Sequence, residues 1–223
     1  MKAYVITIFG NEKSEAAAER CINSAKQFGI EVEKQRAITG EELTKDGPFL
    51  SYATWAMLKI DEFAEPYSRY ENALACFCSH HMLWNLSLAR KEPILILEHD
   101  AVFISDPKLD ELNFDKLLNI GKPSYGQFDI KNNPGIYPAF SKNNGAYLGG
   151  AHAYIVKPDA AIELINKAKE KAFPTDIFLS RKTFPWIQEL YPWPVIANDS
   201  FTTIQNEKGC IAKHNYNKDY KII

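Results

Sequence analysis

Residues 94–97 are an unbroken apolar run, Ile94, Leu95, Ile96 and Leu97, set behind Pro93 and followed at once by Glu98, His99 and Asp100. On a strand, consecutive side chains point to opposite faces, so this run has apolar groups on both. A strand covered on both faces belongs in a sheet lying between layers of helix, the layout of α/β folds. Two residues apart on a strand share a side. A strand continuing through 93–103 therefore sends Glu98 and Asp100 one way and His99 the other. Two carboxylates together at a strand's carboxyl end make a poor core. They make a good site for Mg²⁺ or Mn²⁺, hard cations held by one or two carboxylates together with substrate phosphates. The crevice beyond the strand ends of an open α/β sheet is also where ligands bind. The same pair is equally the pattern of a solvated strand exit, so its context decides between the two.

The surrounding chain alternates strand and helix. Residues 3–9 read as a strand broken by Gly10 and Asn11. A helix over 14–28 places Ala18, Cys21, Ile22, Ala25 and Phe28 on one face, with Gly29 as its terminator. Residues 30–38 return as a strand before Thr39 and Gly40. A short helix fits 51–64. A longer one fits 71–90, with Ala73, Phe77, His80, His81, Trp84 and Leu88 near one stripe. After the acidic-ended strand, Asp106 and Pro107 have the cap-then-proline signature of a helix start, continued by Leu109, Leu112 and Leu117. The expectation is a mostly parallel, doubly wound sheet flanked by helices.

Residues 121–144 differ, being rich in glycine, proline, asparagine and aromatics without a sustained period. Loops of that length inside a domain are usually functional or disordered. Tyr125, Phe128, Tyr137 and Phe140 offer either stacking surfaces for a sugar ring or pins that hold the loop to the core. The small residues around Gly145, Gly149 and Gly150 lead into a strand at 151–156, where glycine permits close backbone approach to a ligand. A helix from Pro158 to about 171 and a helical segment from 174–176 to about 185 follow. The remainder reads as irregular.

A chain of 223 residues is expected to form one domain, 1–223. Its net charge of −2, with no block of lysine or arginine, leaves no electrostatic footprint for nucleic acid or an anionic membrane. The partner is therefore expected to be a small molecule. The first apolar run is too short and wrongly flanked for a signal peptide, and no later run reaches membrane-spanning length, so the expected location is cytoplasmic. Cys21, Cys76, Cys78 and Cys210 lack the Cys-x-x-Cys pattern of zinc ribbons or redox sites, and free thiols are expected.

Several separated segments together resemble glycosyltransferase family 25, which contains lipooligosaccharide and collagen galactosyltransferases. Ala37 to Gly40 resembles the turn that closes its second strand. Ser79, His80 and Trp84 match its Ser-His-x-x-x-Trp segment. Residues 94–102 resemble its acidic strand end, residues 145–156 its small-residue stretch, and residues 173–179, with Asp176, its Pro-Val-Asp-x-Phe-Leu segment. The order and spacing agree over about residues 1–205. The departure is His99, where the family usually carries an aspartate.

The resemblance implies a glycosyltransferase-A-type α/β fold, a UDP-hexose donor (galactose foremost), a glycan acceptor such as lipopolysaccharide, Mn²⁺ or Mg²⁺, and inversion at the anomeric carbon. It implies peripheral contact with a lipid-linked acceptor, and a nucleotide-sugar half over about 1–105 with an acceptor-side half over about 106–223. Asp100 is then the first metal ligand. Glu98 is a second ligand, or the group that orients the donor ribose and a metal-bound water. Asp176 is either the general base or a helix N-cap. His152 and His214 are candidates for a third ligand, since imidazole suits manganese better than magnesium. Asp199 is a reserve base or ligand. Topology and resemblance put Thr7, Phe9, Gly10, Asn11 and Gly150 against the nucleotide, and Ser79 and His80 behind the site or against substrate. The alternatives are a catalytically silent relative, for which His99 speaks, and another nucleotide-handling enzyme such as a nucleotidyltransferase.

Overall fold

The computed structural model describes residues 1–43, 68–123, 128–139, 147–198, 200–206 and 221–222. The chain opens with strand β1 (Lys2–Thr7), helix α1 (Glu12–Lys26) and strand β2 (Val32–Arg36). The Asn11 side chain caps α1 by accepting from Ser14 N–H, and Gly10, at φ 81°, makes the sharp entry. Helix α2 (Tyr70–Arg90) leads into β3 (Ile94–Glu98). Then follow β4 (Ala101–Phe103), β5 (Leu117–Asn119), β6 (Gly135–Pro138) and β7 (Ala153–Val156). Helix α3 (Pro158–Glu170), one-turn helix α4 (Thr175–Phe178), β8 (Ile187–Tyr191), β9 (Val195–Ala197), β10 (Phe201–Thr202) and β11 (Lys221–Ile222) complete the described elements.

Seven strands form one sheet in the order β2-β1-β3-β7-β5-β8-β6. The pairs β2–β1, β1–β3 and β5–β8 are parallel, while β7 and β6 run against their neighbours, so five strands share one direction. The two-faced burial read from residues 94–97 is present. Ile94 and Ile96 belong to the core under α2 and α3, whereas Leu95 and Leu97 belong to the core under α1. All four are fully buried. The expected α/β fold with a mostly parallel sheet between helices is therefore present.

Five local expectations differ. The strand ends at Glu98, because His99 and Asp100 form a turn. β4 then leaves the main sheet to pair antiparallel with β9. Residues 106–120 hold a 3₁₀ turn (Leu109–Glu111) and strand β5 rather than a helix. Asp106 accepts from Lys108 N–H at 2.8 Å, and Lys108 takes φ 49°, a turn that consumes the cap. The long aromatic segment contributes β6 as an edge strand, and the supposedly irregular tail supplies β8, β9 and β10. In β8 the buried Glu189 interrupts the apolar pattern by which a strand is recognised. The helical segment expected to reach 185 is only α4. The helix expected over 51–64, and Tyr125 and Phe140, lie outside the described residues. No described helix is long and apolar enough to cross a membrane.

Candidate functional site

The parallel trio β2, β1 and β3 points its carboxyl ends at one cleft of about 470 Å³. Its walls come from the chain just after each strand: Ile8 to Asn11 after β1, Ala37 to Glu41 after β2, and Glu98 with His99 after β3. Helix α2 closes one side with Asn72, Ala75, Cys76, Ser79 and His80, and Thr203 and Ile204 close another. These pieces are tied together. Ser79 Oγ accepts from Ile38 N–H (2.9 Å) and donates to Ala75 O (2.8 Å), and Asn72 Nδ2 donates to Thr203 O. Gly40 lets the turn after β2 approach α2, since a Cβ there would run into Asn72 and Glu71.

Glu98 lies on the cleft floor with its side chain 30% exposed, and a buried chain of hydrogen bonds stands behind it. Trp84 Nε1 donates to Tyr154 Oη at 2.9 Å, Tyr154 Oη meets His80 Nδ1 at 2.8 Å, and His80 Nε2 meets Glu98 Oε1 at 3.1 Å. Trp84 only donates, so it takes an acceptor site of the phenol, and the phenol hydrogen goes to His80 Nδ1. That puts the imidazole proton on Nε2, aimed at the carboxylate. Burial works to raise the Glu98 pKa, but the His80 hydrogen bond, and then the charges of His80, His152 and His99, outweigh it. Glu98 is held below the ordinary carboxyl value and is ionised at neutral pH.

His99 bonds toward α1 while Glu98 bonds toward α2, although both line the cleft, and His99 is used structurally. Ser14 Oγ accepts from Ile8 N–H (2.9 Å), which leaves its hydrogen for His99 Nδ1 at 2.8 Å. The ring also packs against Phe201, with centroids 5.1 Å apart. Burial holds its pKa below the usual imidazole value, against the pull of Glu98, and Arg20 lowers it further. The neutral histidine thus joins the β1–α1 turn, β3 and β10. Asp100, in the turn, accepts from Asn198 N–H through its backbone carbonyl (2.8 Å). Asp100 is not among the residues that line the cleft, and its charge raises the thiol pKa of both Cys21 and Cys76.

Cys76 is where three carboxylates converge electrostatically. Burial raises its thiol pKa well above the ordinary value, and the charges of Glu98, Asp176 and Asp100 add to that. Asp176, on α4, acts on that thiol through its charge but is not among the residues that line the cleft. It does not cap that helix, because Pro174 stands at the N-cap position. Its Oδ1 accepts from Ile177 N–H at 2.9 Å.

Among the remaining expected residues, Phe9, Gly10, Asn11, Glu98, Ser79 and His80 line the cleft. Thr7 does not; it is wholly buried, and its hydroxyl donates to Val5 O. Gly150, at φ 91°, is also away from the lining. His152 is buried beneath Gly121, where a Cβ would lie about 2.5 Å from its Nε2, and its backbone carbonyl accepts from Glu98 N–H. His214 and Asp199 lie outside the described residues. Sequence reasoning missed Cys76, Tyr154 and Thr175. The signal for Cys76 was its i, i+4 spacing from His80, which puts both on one helix face.

The model of glycosyltransferase family 25, described as LPS biosynthesis protein, matches residues 2–179. The chain belongs to glycosyltransferase family 25. The match spans Glu98, Asp100 and Asp176. A solved structure similar to it is the glycosyltransferase GlyE of Streptococcus pneumoniae TIGR4, at 11% identity and a TM-score of 0.41, covering 85% of this chain and 45% of that one. The chain spans less than half the length of that structure. No curated protein matches it.

Proposed function

We propose that this family 25 glycosyltransferase transfers a hexose, galactose foremost, from a UDP-sugar to a glycan acceptor such as a lipopolysaccharide, with inversion and with a divalent cation. The supporting observation is the cleft at the carboxyl ends of β2, β1 and β3, with an ionised carboxylate on its floor. Phe9, 50% exposed at the rim, offers a ring face for the nucleobase.

A cation fits the charge of this cleft. Among the described lining residues there are Glu41 and Glu98 but no lysine or arginine, so a diphosphate entering there meets no compensating side-chain charge. Glu98 and Asp100 offer hard oxygen donors of the kind Mn²⁺ or Mg²⁺ takes. Such an ion supplies neutralisation of the negative charge that gathers on the departing diphosphate.

The protein's own groups do the rest. His80, fixed by Tyr154, keeps Glu98 ionised and aimed into the cleft. The His99–Ser14 tie holds the turn carrying Phe9 to Asn11, where the nucleoside rests. A single displacement needs one base to take the proton of the acceptor hydroxyl, and Asp176, half-buried on α4 with its charge felt by Cys76 of the cleft, is the base in this reading. One Asp176 oxygen is steadied by Ile177 N–H, which orients the carboxylate. The expected location is cytoplasmic, with the lipid-linked acceptor approached from the membrane surface.

A nucleotide-sugar hydrolysis screen with and without Mn²⁺ tests this reading, because slow donor hydrolysis needs no acceptor. UDP-galactose should turn over only with the metal, and Asp100→Asn should abolish that turnover while leaving the far-UV spectrum unchanged. A retained rate in Asp100→Asn, or no turnover of any UDP-sugar, would refute it.

A further inference from the structure

Cys76 and His80 stand one turn apart on the same face of α2, and Glu98 reaches them from β3. The thiol, imidazole and carboxylate ligand atoms all lie within 4.8 Å of one another. All three residues line the cleft. Four-coordinate zinc holds its ligands at about 2.0–2.3 Å, so neighbouring ligand atoms sit about 3.5 Å apart. The observed spacing is one that small side-chain rotations can close. His80 Nε2 and Glu98 Oε1 are already 3.1 Å apart.

The groups behind these atoms suit the same ion. A metal-bound imidazole usually donates its other N–H to an acceptor. For His80 that acceptor is Tyr154 Oη, whose two lone pairs can take both His80 Nδ1–H and Trp84 Nε1–H. The tautomer then reverses relative to the metal-free state, and Nε2 becomes the ligand. On the other side, Thr175 Oγ1 is buried, 4% exposed, and completes no hydrogen bond among the described residues. Its proximity to Cys76 opposes, as a lesser contribution, the rise that burial and the nearby carboxylates impose on the thiol pKa. A hydroxyl in that position serves a thiolate.

We propose that Cys76, His80 and Glu98 form a site for a thiophilic cation of the Zn²⁺ class in the wall of the cleft, with the fourth position open to the cleft. Zinc binding displaces the Cys76 thiol proton to solvent and forms the sulfur–zinc bond. Charge is conserved as one proton leaves for each ion bound. Thiolate and imidazole donors select Zn²⁺ over Mg²⁺ and Mn²⁺, so this site is chemically distinct from one built of carboxylates. Its ligand Glu98 is shared with the donor cleft. If the proposed donor reading holds, occupancy by zinc withdraws Glu98 from that role.

Cobalt substitution tests the site without any turnover. Co²⁺ added to the full chain should give the visible bands of tetrahedral cobalt and a near-ultraviolet sulfur-to-cobalt charge-transfer band, at one equivalent, reversed by Zn²⁺. Cys76→Ser should lose the charge-transfer band. His80→Gln should keep it while weakening Zn²⁺ affinity by at least the roughly 10–100-fold that loss of even an outer partner costs. An octahedral spectrum in the unaltered protein, or a charge-transfer band that survives Cys76→Ser, would overturn the proposal. The spectrum is independent of UDP-sugar turnover. A cobalt–thiolate signature in a protein that hydrolyses no UDP-sugar leaves the zinc site standing and removes the donor reading alone.

Discussion

Tyr154→Phe is the sharpest perturbation of the buried chain behind Glu98. The substitution keeps the ring and its stacking on His80, with centroids 5.7 Å apart, and deletes only the hydroxyl. Two hydrogen bonds go with it, from Trp84 at 2.9 Å and to His80 at 2.8 Å. Both former partners are fully buried, so neither gains water in exchange. A stranded buried polar group costs about 1–3 kcal/mol, giving about 2–5 kcal/mol for the two if they relax within one small void. At about 2–4 °C per kcal/mol for a chain of this size, the melting temperature should fall by on the order of 5–15 °C. The second consequence is chemical. With no donor at Nδ1, the His80 proton is no longer confined to Nε2, and Glu98 loses part of the bond that keeps its pKa low. Donor turnover should therefore decline first on the acid side of the pH profile. Thermal denaturation followed by circular dichroism measures the first effect, and a pH series of donor hydrolysis the second. A melting temperature within about 2 °C of the parent, less than the cost of one stranded group, would refute the relay.

Ser14→Ala removes the hydroxyl that serves both Ile8 N–H and His99, loosening the turn that carries Phe9 to Asn11. The KM for the nucleotide-sugar should rise several-fold while kcat changes little, and an unchanged KM would show that the tie does not shape the cleft. Gly121→Ala should cost about 1–3 kcal/mol in urea denaturation, because its Cβ would press on the buried His152 ring. Stability should also fall as pH drops below 6.5. Burial, helped by the charge of Lys169, lowers the His81 pKa from 6.5 to about 4, and burial lowers those of His99 and His152 too. Below 6.5 the unfolded chain takes up protons that the folded chain resists, so unfolding is favoured. The His81 share is about 2 kcal/mol by pH 5 and about 3 kcal/mol by pH 4. Glu98 adds its own loss as pH falls below 4.5 through its lower folded value. Urea denaturation at pH 7 and pH 5 checks this, and a flat profile would contradict it.

The layered α/β arrangement was legible because its signals are local and repeat. The run from Ile94 to Leu97 demands cover on both faces, and the β1–α1–β2 alternation carries ordinary helix and strand periods with a capping Asn11. The end of β3 was less legible. Alternation alone cannot say that pairing stops at Glu98, because that depends on where β1 stops offering hydrogen bonds. His99 and Asp100 therefore took positions set by a turn. The short later strands escaped for a related reason, since β5 and β9 have three residues each and β8 buries Glu189 against Trp193 and Lys131, a pairing that only the fold reveals. At the site, Phe9 to Asn11 and Glu98 could be read from topology. Tyr154 and Thr175 could not, because they reach His80 and Cys76 from segments more than seventy residues away in sequence.

A crystal soaked with UDP and Mn²⁺ tests the central claim most directly. The account predicts an anomalous manganese peak beside Glu98 and Asp100, the diphosphate against that ion, and uracil resting near Phe9 at the ends of β1 and β2. Nucleotide bound elsewhere, for instance at the opposite ends of the strands near Lys2 and Lys108, with Glu98 still turned only toward His80, would contradict it.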